Sequence, residues 1–370
     1  MSQSPQNAVV HACERCRPIC FIAPPDLLSR IANEGQAEDR AAAINALGAS
    51  ASIRGRRDLV RHVMHHMNLG LGDLALAPPN GERRTVYDAK HGGQSQLPGT
   101  RVRGDGDQPV ADEAVNQAYD GSDTTYRFYK EILGRDSLDG HGLEMVSSVH
   151  YGNAYDNALW NGSQMVYGDG SGRILAVGSL TRSIDVIGHE LTHGVTQFTA
   201  GLRYHDQSGA RNESISDVFG SLVKQYSLQQ TADQADWLIG AGILGSALTG
   251  EALRSMKAPG TANNFDQQPA KMSDYVHLPA DNNPSNDNGG VHINSGIPNR
   301  AFFLAATAIG GHAWEKAGKV WFRALTERLK PDSDFRAAAD ATVALAAEMF
   351  SAGGAEHNAI QAAWHQVGVL

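Results

Sequence analysis

The 370-residue chain is short of cysteine: there are three, and all lie near the N-terminus at Cys13, Cys16 and Cys20. An odd number confined to one end builds no disulfide framework, so the bulk of the chain must hold together by its own core. It also lacks any apolar run approaching the roughly 18 residues that span a bilayer, which sets a membrane protein aside. Nor is there an excess of positive charge: 31 Lys and Arg against 40 Asp and Glu leave a net −9. Such a balance has no general attraction for nucleic acid. The opening stretch does not read as a secretory leader, because it is broken by Pro24 and Pro25 and carries its basic residues inside. The expectation is a leaderless chain, cytoplasmic or exported by a non-classical route. What remains, 41% hydrophobic and 19% charged, is ordinary globular composition with room for two or three domains.

Patterning divides the chain. Residues 24–47 carry two short helical patterns around Gly35. Residues 48–110 are mostly polar, with Gly and Pro clusters that break structure. Asp112 to Leu133 has helical apolar spacing, and strand-like pieces follow at 144–151, 164–168 and 173–177. From Ser183 onward the pattern predicts mainly helix, interrupted by one Asn/Pro/Gly-rich loop at 279–290. The expected organisation is α+β: a propeptide and linker over 1–85, with its boundary anywhere from 50 to 85, a β-rich α/β domain over 86–195, and an α-helical domain over 196–370.

The chemistry concentrates in Asp185-Val-Ile-Gly-His189-Glu190-Leu-Thr-His193. On a helix, His189 and His193 are one turn apart on one face and can share a metal ion. Glu190 lies one position round, beside the metal, where it can take a proton from water. Two surface histidines would be the bland alternative. A second pair, Glu213 and Asp217, again i and i+4, argues against it. Catalytic zinc takes three protein ligands, and His189, His193 and Glu213 make a His₂Glu set. Asp217 suits the far nitrogen of a ligating histidine. Downstream, Asp287-Asn-Gly-Gly-Val-His292 can present His292 into a cleft with Asp287 orienting it, although by itself a buried structural histidine fits as well.

Five strings in order, NALWNGSQMVYGDG (157–170), HELTHGVT (189–196), AGLRYHDQSGARNESISDVFG (200–220), LRSM (253–256) and DNGGVHINSGIPNR (287–300), make residues 112–370 resemble the thermolysin family of zinc metallopeptidases. That resemblance implies a two-domain fold with the zinc cleft between a β-rich and an α-helical domain. It implies zinc on His189, His193 and Glu213, with Asn212 and Asp217 behind the ligands and Glu190 as general base. It gives oxyanion stabilisation to Tyr204 and His292, with Asp287 supporting His292. Asn157, the backbone of Ala158, and Arg254 would hold the substrate peptide. Leu180, Val186, Ile239 and Leu253 would line the pocket after the scissile bond, so cleavage before bulky hydrophobic residues is expected of a neutral endopeptidase.

Two departures matter. Family members often carry a paired calcium site, but here Lys224, Leu238 and Ala241 stand at corresponding positions beside Asp185 and Asp236, so that site is predicted absent. The N-terminus resembles the protealysin-like subgroup, whose short propeptide carries an Ile-Pro-Pro-x-Leu type motif. Here it reads Ile22-Ala-Pro24-Pro25-Asp-Leu27, with an alanine intervening. Pro24, Pro25 and Cys20 are therefore candidate inhibitory residues of a self-inhibited precursor that matures by autocatalytic cleavage. A thiolate from Cys13, Cys16 or Cys20 can take the open zinc position; reduced bystander thiols or a separate metal site are the alternatives. His62, His65 and His66 read as a solvated basic segment. Expected partners are peptide or protein substrates, the chain's own propeptide, and a cognate protein inhibitor as in protealysin-like enzymes. A non-catalytic scaffold that has lost peptidase function is the competing class, and the complete set of site residues argues against it.

Overall fold

The computed structural model describes residues 20–67, 83–281 and 283–370. Cys13 and Cys16, and the side chains of His62, His65 and His66, lie outside that description. A six-stranded mixed sheet is built from β1 (Cys20–Phe21), β2 (Arg84–Asp88), β3 (Thr100–Gly104), β4 (Met145–Val149), β5 (Ala158–Trp160) and β6 (Met165–Tyr167). Its spatial order is β1-β5-β6-β4-β2-β3. The pairs β2/β4 and β4/β6 are parallel and the others antiparallel. The N-terminal segment is thus an added edge strand, with Cys20 opposite Trp160 and Phe21 opposite Leu159.

The helices in chain order are α1 (Pro25–Glu34), α2 (Ala37–Met67), α3 (Glu113–Arg127), α4 (Ser179–Arg182), α5 (Ile184–Gln197), α6 (Asp206–Leu228), α7 (Asp287–Asn294), α8 (Gly296–Ile309), α9 (Ala317–Arg323), α10 (Phe335–Met349) and α11 (Ala355–Gln366). A hairpin of β7 (Leu238–Ile239) and β8 (Arg254–Ser255) lies between α6 and α7. α1 starts with prolines at its first turn, where their missing N–H groups cost nothing, and buries Leu27, Leu28 and Ile31. α2 packs beside it through Ala43, Ala46 and Ile53. Asp39 pairs with Arg173 at 2.7 Å and Ser50 bonds the Tyr155 hydroxyl at 2.8 Å, tying this N-terminal pair of helices to the sheet domain.

α5 and α6 form the centre, and glycine lets them meet. A Cβ on Gly220 would lie 2.5 Å from the Asp185 carbonyl oxygen and 3.0 Å from the His189 nitrogen, so no other residue fits without parting the helices. That close approach brings Glu213 and Asp217 to the two histidines.

Three expectations of organisation are corrected. α2 runs through the glycines of the stretch read as broken, and β2 and β3 also lie within 48–110. Residues 173–177 form no strand; Leu175 makes one isolated bridge with Leu244. The second half is not continuously helical, because among the described residues no α-helix lies between Leu228 and Asp287. Its turns are held by side chains instead, as where Asp266 accepts from the Gly260 and Ala262 amides.

Candidate active site

His189 and His193 project from α5 into the interior and are almost wholly buried. Their Nδ1 atoms are spoken for. His189 faces Asp217 at 2.8 Å, and His193 faces Asn212 at 2.9 Å with Ser216 at 3.0 Å. Bonds from Nδ1–H to Asp217 and Asn212 turn the two Nε2 lone pairs toward each other, and these atoms are 3.1 Å apart. Glu213 completes the convergence, with Oε2 at 3.4 Å from His189 Nε2 and Oε1 at 3.6 Å from His193 Nε2. Among the described residues, Glu213 Oε2 is buried without a hydrogen-bond partner. Two facing nitrogen acceptors and an orphaned carboxylate oxygen need a shared cation, and two imidazoles with one carboxylate suit zinc. These residues would hold the metal.

Without a metal the two histidines are pushed apart in proton affinity: against burial, the Asp217 and Glu213 carboxylates raise His189 to about 9, holding a proton that a bound cation would displace. Burial drives His193 down to about 4, leaving its imidazole neutral and able to ligate. Burial also acts against ionised Asp217, but the Arg254 charge and the His189 hydrogen bond outweigh it and hold that carboxyl low. Asp217 is further fixed by Arg254 Nη2 at 2.8 Å and by Asn299 Nδ2 at 2.8 Å. Glu190, fully buried, is raised to about 8 chiefly by desolvation. Its Oε2 accepts from the Trp160 amide at 2.9 Å, and its Oε1 has no hydrogen-bond partner among the described residues.

Opposite the ligands, Tyr204 donates its hydroxyl to Glu213 Oε1, and the same hydroxyl oxygen is 3.1 Å from His292 Nε2. His292 Nδ1 lies 2.6 Å from Asp287 Oδ1, while Asp287 Oδ2 accepts the His292 amide at 2.6 Å. Burial opposes a charged imidazole there, but Asp287 more than compensates and raises His292 to about 10. The backbone that makes this contact turns through left-handed Asn288, Gly289 and Gly290.

The cleft is filled by the chain's own N-terminal segment. The Ile22 amide donates to the Ala158 carbonyl at 3.1 Å. Ala23 is clasped by Asn157, its N–H donating to Oδ1 at 2.9 Å and its carbonyl accepting from Nδ2 at 3.0 Å. Arg254 Nη1 donates to the Ile22 carbonyl at 3.1 Å, and His292 Nε2 is 3.2 Å from the Phe21 carbonyl oxygen. Ile22 is completely buried in the apolar cluster that contains Leu180, Val186, Ile239 and Leu253. Pro24 and Pro25 are buried at the start of α1, and Cys20 is buried against Tyr204 and Val291.

This arrangement matches a known one. The model for the thermolysin metallopeptidase catalytic domain matches residues 73–197, and that for its alpha-helical domain matches 200–369. The chain belongs to the thermolysin family of metallopeptidases. An extracellular metalloprotease of Pectobacterium carotovorum subsp. carotovorum is 46% identical over 361 residues, covering 96% of this chain and 98% of that protein. Thermolysin of Alicyclobacillus acidocaldarius is 40% identical over 294 residues, covering 77% of this chain and 50% of that longer protein. Among solved structures, the precursor of protealysin, a metalloproteinase from Serratia proteamaculans, aligns with a TM-score of 0.80 and 46% identity, covering 95% of this chain and all of that one. The protein is therefore a metalloprotease of the protealysin-like kind, from a zinc-dependent family.

Several contributors were missed in the sequence. Trp160 positions Glu190 through its amide, Ser216 and Asn299 brace the ligand set, and Gln268 Nε2 holds the His292 carbonyl at 2.7 Å. Phe21 and Ala23 act through backbone atoms, which no side-chain motif announces, whereas Ile22 already stood in the propeptide motif. The apolar Phe-Ile pair before the prolines was the available signal.

Proposed function

We propose that the chain is a zinc endopeptidase, held as a precursor by residues 20–34, that cleaves before bulky hydrophobic residues. The observation that carries this is the substrate-like seating of residues 20–23 on Asn157, Ala158, Arg254 and His292. Bound zinc supplies a Lewis acid and a water acidified toward neutrality. Glu190, with Oε2 pinned and Oε1 open, receives the proton of the attacking water and passes it to the leaving nitrogen. His292, kept protonated by Asp287, and Tyr204 donate to the carbonyl oxygen as negative charge grows on it. Arg254 and Asn157 hold the two carbonyls beyond the reacting bond. The complete burial of Ile22, the residue that follows the Phe21 carbonyl facing His292, supports a preference for a large apolar residue after that bond. Intact mass over time tests the reading: the wild type sheds an N-terminal fragment and Glu190→Ala does not. If both chains stay full length, and both remain inert after another protease removes the segment, the enzyme reading fails in favour of a binding scaffold.

The reading extends to calcium. Lys224 Nζ contacts Asp236 Oδ2 at 2.8 Å, Asp185 Oδ2 at 3.4 Å and the Leu238 carbonyl at 3.3 Å. We infer that this ammonium takes the place of the paired calcium ions, while Ala241 contributes no oxygen from its side chain. Thermal unfolding in excess calcium and in chelator should then coincide once zinc is held constant.

A further inference from the structure

A segment lying along the cleft in this way should be cut, because the Phe21 carbonyl faces His292 and the next carbonyl faces Arg254. Occupation alone does not explain a stable precursor. The residue that sets this segment apart from a plain peptide is Cys20. Its Sγ, a ring nitrogen of His193 and a carboxylate oxygen of Glu213 all lie within 4.8 Å of one another, and all three residues are buried. Ligands about 2.0 to 2.3 Å from a tetrahedral zinc stand roughly 3.3 to 3.6 Å apart, so the sulfur, close to two of the three ligands, needs only a small shift to complete the set. Among the described residues Glu213 Oε2 is buried without a hydrogen-bond partner, which marks the same point as a cation site. The register locks the sulfur there, since Cys20 lies opposite Trp160, whose amide holds Glu190.

Resting on the zinc reading above, we propose that the Cys20 sulfur is the fourth zinc ligand of the precursor, turning an open catalytic site into a closed one. On binding, the S–H proton is released to solvent, the metal-bound water leaves, and a Zn–S bond forms. Thiolate is the softest ligand the chain can offer, and a closed four-ligand zinc has no position for attacking water. Opening then requires Cys20 to leave the metal, and water entry restores the His₂Glu site. The neighbouring Tyr204 and Val291 enclose the sulfur, which shields it from bulk solvent while the segment is docked.

The test uses the full-length chain carrying Glu190→Ala to keep the segment attached, and Cys13→Ser with Cys16→Ser so that Cys20 is the one thiol. Loaded with cobalt(II) in place of zinc, this protein should show an intense near-ultraviolet sulfur-to-cobalt absorption, lost on adding Cys20→Ser while one cobalt per chain is retained. Its thiol should resist a disulfide reagent until the metal is chelated, a readout that serves if Cys20→Ser does not fold. Equal spectra with and without Cys20→Ser, or a thiol equally reactive with metal present and removed, would overturn the latch and leave the zinc-peptidase reading intact. A chain that binds no cobalt would overturn both.

Discussion

Asp26 offers a sharp quantitative test of the docked precursor. It stands in the first turn of α1, where an acid is favoured by the helix dipole, yet it is buried. Its Oδ1 has no hydrogen-bond partner among the described residues, and its Oδ2 is 3.7 Å from Arg30. Asp287 and His292 place their side-chain ligand atoms within 4.8 Å of it. Burial first, then Asp287, raises Asp26 to about 6, against the opposing pull of His292 and Arg30. In the released segment the carboxyl returns to its ordinary value near 3.8. A group raised on docking stabilises the docked state fully below the free value and loses that contribution as pH climbs through the bound one. Docking should therefore weaken between about pH 4 and 6. The difference between the free and docked carboxyl is worth about 3 kcal/mol, or roughly a hundredfold in affinity at neutral pH. Asp26→Asn keeps the shape and removes the charge. Arg30 is not stranded by it, because it still bonds the Phe265 carbonyl and lies over the Phe265 ring. The assay is inhibition of matured enzyme by a peptide spanning residues 16–36 that carries Cys16→Ser and Cys20→Ser, so that no thiol proton is released on docking, with and without Asp26→Asn, from pH 4 to 8. The Asn peptide should bind tighter at pH 7, by a factor approaching a hundred, with little slope between 4 and 6. Equal slopes for the two peptides, or weaker binding by the Asn form at pH 7, would refute the reasoning.

Three further outcomes can be measured directly. Lys224→Met leaves Asp185, 3% exposed, without its cation, so thermal unfolding should register a loss of roughly 3 kcal/mol. Gly220→Ala must part α5 from α6, and metal titration should show at least tenfold weaker zinc binding alongside a stability loss of about 1–3 kcal/mol. His150, bonded to Asp169 at 2.7 Å and Asp112 at 2.8 Å, is raised to about 9 by the Asp169 and Asp112 carboxylates against its own burial. That contribution is complete below about pH 6.5 and is lost as pH rises through 9. Through this group urea unfolding should show a loss of roughly 2 kcal/mol between those limits, and Asp169→Asn combined with Asp112→Asn should shrink the total pH-dependent loss by that amount.

The site was legible because its residues sit at helical spacing within short strings. His189, His193, Glu213 and Asp217 need only the geometry of two helices to be brought to one face each. The sheet was harder to read. β2 and β4 pair in parallel across a long stretch of chain, and nothing local to Arg84–Asp88 reveals that partner. β5 is three residues long and was visible only as part of a motif, although it is the strand on which both Glu190 and the N-terminal segment depend. The region after α6 has apolar spacing that suggests helix, but Asn263 and Asp266 divert its backbone into turns through their side chains.

The alanine that interrupts the propeptide motif shows how a departure from a pattern can carry meaning. Ala23 stands between Ile22 and the prolines, and its N–H reaches Asn157 Oδ1 at 2.9 Å while its carbonyl takes Asn157 Nδ2 at 3.0 Å. A proline at this position would keep the carbonyl contact but has no N–H to give. Asn157 Oδ1 would not be orphaned, since the Ala158 amide also donates to it at 3.1 Å. The loss is therefore that of one ordinary hydrogen bond, about 1 kcal/mol, and not a desolvation penalty. Ala23→Pro should release the segment a few-fold more readily, and Ala23→Gly, which retains the amide, should stay close to the parent. Maturation half-lives of the two full-length variants, compared at one pH, separate the cases. If Ala23→Pro matures no faster than Ala23→Gly, the Asn157 clasp contributes nothing to inhibition, and the restraint lies with Cys20, α1 and the metal.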